Sequence, residues 1–97
     1  MPQDRYIRVG DINARYWAEG DAGPAVVLVH GLGGSVENWA PNIGPLSACH
    51  RVYAMDLPGF GRTDKTPLIS SIYDLARFIA DFMEVLQIEK ASLVGNS

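Results

Sequence analysis

The residues best placed to do chemistry lie in Ala91-Ser92-Leu93-Val94-Gly95-Asn96-Ser97, which reads as a buried strand running into half of a nucleophile elbow. A G-x-S-x-G elbow holds its serine on a strained strand-to-helix turn, with glycines on both sides because a Cβ there would collide with neighbouring backbone. A serine hydroxyl is a poor nucleophile at neutral pH. It needs a base to take its proton and donors to hold the oxyanion that forms on the substrate. The segment His30-Gly31-Leu32-Gly33-Gly34 supplies the second requirement, since missing side chains let backbone N–H groups approach a substrate oxygen. Ser97 is therefore the expected nucleophile and Leu32 N–H one expected oxyanion donor, flanked by Gly31 and Gly33. Asn96 is expected to order the turn or touch substrate. Trp39 and Phe60 either line an acyl pocket or pack in the core.

Those groups need a scaffold that brings distant loops together. Tyr6, Ile7 and Val9, then Ile12, Ala14, Tyr16 and Trp17, are β-prone runs separated by Gly10-Asp11, the signature of an antiparallel hairpin. After the break Gly20-Asp21-Ala22-Gly23-Pro24, the uninterrupted apolar run Ala25–Val29 predicts a strand buried on both faces, as in a parallel sheet covered by helices. Residues 36–46 predict a short helix limited by Pro41 and Pro45, with Trp39 facing inward. A strand over Arg51–Met55 then leads to a glycine- and proline-punctuated loop over 57–67. Ser71 and Asp74 have capping-box spacing, and Ile72, Leu75, Ala76, Ile79, Met83 and Leu86 predict one apolar helical stripe turned toward the sheet.

The predicted order is a hairpin followed by β-α-β-α-β. Right-handed crossovers place two helices on opposite faces only where the strand order reverses between them. The reversal opens a crevice at the carboxyl ends of the strands, where the loops after Val29, Met55 and Gly95 converge.

Composition narrows the function classes. The 97 residues suffice for at most one domain, and 47% hydrophobic with 20% charged residues and a net charge of −3 describe a globular chain. Lysine and arginine are outnumbered and scattered, so no nucleic-acid partner is expected. Cys49 is the only cysteine, which excludes an intrachain disulfide, and it is expected to be a small buried apolar side chain. No apolar leader opens the sequence, and no run approaches the roughly 20 residues that cross a bilayer. Cytoplasmic residence without membrane association is the resulting expectation. No metal or cofactor is expected.

Three motifs then make a resemblance specific. His30-Gly31 at a strand end, Asp56-Leu57-Pro58-Gly59-Phe60-Gly61-Arg62-Thr63-Asp64 after the next strand, and Leu93-Val94-Gly95-Asn96-Ser97 together resemble the N-terminal part of the α/β-hydrolase superfamily, over essentially the whole chain. The resemblance implies a mostly parallel eight-stranded sheet carrying nucleophile, acid and histidine in that chain order. Residues 1–97 would then be a single partial domain, truncated at the elbow, holding the first five strands and the nucleophile alone. Serine rather than aspartate at the elbow separates the chain from epoxide hydrolases and haloalkane dehalogenases of this fold. The Gly-Asn-Ser form is similar to the branch containing carbon–carbon bond hydrolases and related esterases.

On that resemblance the chain is the N-terminal fragment of a serine hydrolase acting on an ester, thioester or activated carbon–carbon bond through an acyl-enzyme. Its substrate would be a small acyl or carbonyl compound, its partner the missing C-terminal portion of the same fold, and it would be inactive alone. Because the base follows the nucleophile in that order, His30 is expected to shape its loop. His50 is expected at the surface, and Asp56 and Asp64 in turn and loop hydrogen bonds. Two alternatives stand beside this reading. One is a hydrolase-like binding protein without turnover. The other is a dinucleotide-binding module, since Gly31-Leu32-Gly33 follows a buried strand and Asp56 ends the next one, although Val36 stands where the third glycine belongs.

Overall fold

The computed structural model describes residues 2–31, 33–63 and 71–95. The opening hairpin is present as β1 (Arg5–Val9) and β2 (Ile12–Glu19), with Val9 opposite Ile12 across the Gly10-Asp11 turn. β3 (Ala25–Val29) follows, then a 3₁₀ turn (Val36–Trp39) that runs into α1 (Ala40–Ser47). β4 (Arg51–Met55), α2 (Ile72–Val85) and β5 (Ala91–Gly95) complete the chain. The five strands form one sheet in the order β1-β2-β4-β3-β5. β1 with β2 and β2 with β4 are antiparallel, whereas β3 pairs in parallel with both β4 and β5.

The expected reversal of strand order is therefore real. The chain steps from β3 to β4 through α1, then returns through α2 to the other side of β3, so right-handed crossovers put α1 and α2 on opposite faces. Alternate residues of β3 feed two cores. Val27 packs with Val9, Ala14, Met55, Phe78 and Phe82 on the α2 side, while Val26 and Leu28 pack with Trp17, Val36, Ile43 and Val52 on the α1 side. Burial on both faces is what the unbroken apolar run required.

The single helix expected over 36–46 is divided. Its first turn is 3₁₀, and α1 continues to Ser47 with Pro41 in its first turn, where a missing N–H does no harm, and Pro45 inside. α2 begins at the expected cap, with Asp74 N–H donating to Ser71 Oγ at 3.2 Å. Its buried stripe is rotated from the predicted one. Phe78 and Phe82 form the buried centre, flanked by Leu75, Ile79, Met83 and Leu86, whereas Ile72 and Ala76 are exposed.

Two further expectations fail. Cys49 is exposed, in the turn between α1 and β4. β5 is not a buried strand, since Leu93 is 58% and Val94 42% exposed. It pairs only with β3, so its other edge and most of both its faces carry no cover among the described residues.

Candidate active site

Val29 is the register partner of Met55 on one side and of Gly95 on the other. The carboxyl ends of β3, β4 and β5 therefore lie side by side at one end of the sheet. Leu32, Asn96 and Ser97 lie outside the described residues, as do residues 64–67 of the expected loop, Asp64 among them. Gly31, Gly33 and Trp39 are described. A Cβ added at Gly95 meets nothing within 4 Å among the described residues, so the crowding expected around that glycine is not supplied by them.

The glycine loop is held internally and at both ends. Gly34 N–H donates to the Gly31 carbonyl at 2.9 Å, and Gly33 has φ +78°, a backbone state that costs glycine little. At Gly34 an added Cβ would lie 2.4 Å from Asn38 Oδ1, so a side chain there would displace the Asn38 amide oxygen that accepts Ser35 N–H. His30, buried, accepts Leu57 N–H on Nε2 at 2.8 Å, which leaves the proton on Nδ1 to donate to the Gly31 carbonyl at 2.7 Å. Both ring nitrogens are thus occupied by backbone. His30 shapes the loop, as expected, and has no free nitrogen to act as a base in this arrangement. Phe60 meets the His30 ring edge-on at 5.5 Å and packs against the α2-side core.

The other end of the loop is tied to Asp56, which is 0% exposed. One of its oxygens accepts Val36 N–H at 2.8 Å, and the other accepts Arg62 N–H at 2.7 Å and Arg15 Nε at 2.7 Å. The glycine loop therefore hangs from consecutive residues, Leu57 at its start and Asp56 at its end. Gly61 makes room for this carboxylate, since a Cβ there would lie 2.2 Å from it. The expected loop role of Asp56 holds, but its charge partner was not foreseen.

That partner, Arg15, is 1% exposed on β2. Its guanidinium forks onto Glu37 at 2.6 and 2.9 Å, grips Asp56, and reaches Asp4 at 3.3 Å. Its backbone N–H donates to Thr63 Oγ1 at 2.9 Å, and its carbonyl accepts Asp56 N–H at 3.0 Å. Asp4 also accepts the Trp17 indole N–H at 2.8 Å and pairs with Arg62. Burial opposes the charge on Arg15, but the hydrogen bonds it donates to Glu37 and Asp56 outweigh it and hold the guanidinium above its ordinary pKa. The Arg15 hydrogen bond, against the opposing effect of burial and with help from Ser35, lowers the Glu37 carboxyl to about 2. The Trp17 hydrogen bond leads the causes that hold Asp4 below its usual range.

Sequence reasoning passed over Arg15, Glu37, Asp4 and Thr63. One signal was present: Arg15 shares a strand face with Trp17, so alternation already turned a charge toward a core. Trp39 is half-buried against the α1-side core, and its Nε1 is buried without a hydrogen-bond partner among the described residues. Packing against the α1-side core is the role the described residues give Trp39.

The same geometry removes the dinucleotide alternative. The Val36 amide, at the start of the turn that would face a pyrophosphate, is engaged by Asp56, and Asp56 has no exposed oxygen for a ribose.

Comparison with known proteins agrees with the scaffold. The family profile described as alpha/beta hydrolase fold matches residues 24–97, and the chain belongs to that family. It is 36% identical over 93 residues to the dihydrolipoyllysine-residue acetyltransferase component of the acetoin cleaving system of Cupriavidus necator, covering 96% of this chain and 25% of that protein. It is 37% identical over 99 residues to 2-hydroxy-6-oxo-6-(2'-aminophenyl)hexa-2,4-dienoic acid hydrolase of Metapseudomonas resinovorans, covering 97% of this chain and 33% of that one. The crystal structure of the enol-lactonase from Burkholderia xenovorans LB400 superposes with a TM-score of 0.90 at 28% identity, over 96% of this chain and 37% of the other. The chain thus spans about a quarter to a third of the length of the curated relatives it matches.

Proposed function

We propose that this chain is the N-terminal part of a serine hydrolase that cleaves an ester, thioester or activated carbon–carbon bond through an acyl-enzyme. Ser97 attacks the carbonyl, and Leu32 N–H helps to hold the oxyanion. The observation that carries the reading is the shared register of Val29 and Gly95, which starts the glycine loop and the Asn96-Ser97 segment from neighbouring points on one sheet edge. Relatives named for a carbon–carbon hydrolase and an enol-lactonase fit a small carbonyl or acyl substrate. In this reading the acid and base lie beyond residue 97. With both His30 nitrogens engaged, the chain alone has little means of activating Ser97.

A fluorophosphonate probe tests both parts. A protein extending through the rest of the fold should label rapidly at Ser97 and lose labelling as Ser97→Ala, whereas the 97-residue chain should label slowly or not at all. Rapid labelling of the short chain would refute the need for a missing base. Absence of labelling in the long one would favour the binding protein without turnover.

A further inference from the structure

We propose that Arg15 is a positioning residue for the oxyanion loop, acting by gripping Asp56 and Glu37 at once. The inference rests on the hydrolase reading above. His30, where the loop starts, is anchored to Leu57, and Val36, where it ends, is anchored to Asp56, with Glu37 immediately after the second anchor. Asp56 and Glu37 come from different loops, and two carboxylates this close to a common point repel unless a cation sits between them. Arg15 is that cation, with Nε on Asp56 at 2.7 Å and both terminal nitrogens on Glu37 at 2.6 and 2.9 Å. It stands on β2, outside either loop, and its backbone is bonded to Asp56 N–H and Thr63 Oγ1. The guanidinium is therefore a fixed point of the sheet against which both loops are registered.

Stability alone does not account for a charge in this place. A well-packed apolar residue often stabilises such a site as much or more than a buried ion pair. What an apolar residue lacks is the fork that holds two carboxylates at a set separation. Oxyanion stabilisation depends on donors fixed before the charge develops, and a displacement of about 1 Å can cost roughly 100-fold in rate. Arg15 acts at that level, through Asp56 and Glu37, without touching substrate.

The test uses the protein extending through the rest of the fold, an activated ester, and three substitutions, R15M, R15K and E37Q. R15M should lower kcat by about 10- to 100-fold with KM within about twofold, because misplaced donors weaken the transition state more than substrate binding. R15K should fall between wild type and R15M, since an ammonium keeps the charge but loses the fork. E37Q removes one limb at a half-exposed side chain and leaves Asp56 gripped, so it should fold even where R15M does not, with kcat down about 3- to 10-fold. Amide exchange gives a readout independent of turnover: Gly33, Gly34 and Val36 should exchange faster in E37Q, while Phe78 and Phe82 in α2 keep their protection. Unchanged kcat in folded R15M and E37Q, or unchanged loop exchange in E37Q, overturns the proposal. Turnover that survives Ser97→Ala would sink the hydrolase reading instead, and the exchange data would still report whether Arg15 holds the loop.

Discussion

The two edges of the sheet are built on opposite plans. β1 alternates cleanly: Ile7 and Val9 turn toward α2, while Tyr6 and Arg8 face outward. Its free edge carries arginines and one covered face, the arrangement by which natural sheets discourage further pairing. Among the described residues β5 has cover only at Ala91, which packs against the α2-side core. Leu93 on the α2 side and Val94 on the α1 side are both exposed, and the strand carries no charge at all. One edge is finished by its own sequence, and the other offers what a continuing sheet would bury. In the proposed reading, the remaining strands and helices of a hydrolase are what β5 is shaped to receive.

The sharpest way to break this contrast is to attack the cover over β1 and β2. Phe82→Ala empties the centre of the α2-side core and should destabilise the chain by about 3–5 kcal/mol in urea unfolding. A loss below about 1 kcal/mol would mean that α2 does not seal that face. Charge placed on the other edge should act on association rather than on stability. L93K together with V94K should shift sedimentation toward monomer and leave the unfolding midpoint nearly unchanged, and a large drop in midpoint would show that β5 is covered after all. Leu93→Ala should change stability by no more than about 0.5 kcal/mol, against several for an equally apolar residue in a core.

A last effect concerns acid. Glu37 has its pKa lowered from 4.5 to about 2, so its contribution is present above about pH 4.5 and is lost as pH falls toward about 2. Because its side chain is half-exposed, solvent screening holds that contribution to on the order of 1 kcal/mol. Glu37→Gln should therefore flatten the fall in stability between pH 4.5 and 2, and an unchanged acid slope would count against the Arg15–Glu37 bond.

What was legible in the sequence follows from which interactions are local. The unbroken run Ala25–Val29, the hairpin turn and the Ser71 cap each announce themselves within a few residues, and the reversal of strand order follows from element order plus handedness. The phase of α2 was less legible because apolar residues cover more than one stripe. Ile72 and Ala76 match the period as well as Phe78 and Phe82 do, and only contact with β1 and β2 selects between them. The Arg15 cluster joins residues 22 and 41 positions apart, so alternation could turn the guanidinium inward but could not name its partners. Exposure of β5 was invisible for a related reason: its composition is that of a buried strand, and burial depends on neighbours that the strand does not encode. Of the candidate site, the loop-shaping roles of His30 and Asp56 were readable, whereas the charge that registers the two loops was not.

The strand order also carries a consequence for synthesis. Among the described strands, β3, buried on both faces, pairs with nothing made before it; its first partner is β4, and its second, β5, follows only after α2. At ribosomal speeds of about 5–20 residues per second, the interval between completing Val29 and beginning Arg51 is roughly 1–4 s. Throughout that interval, the most apolar strand of the nascent chain has no sheet to join.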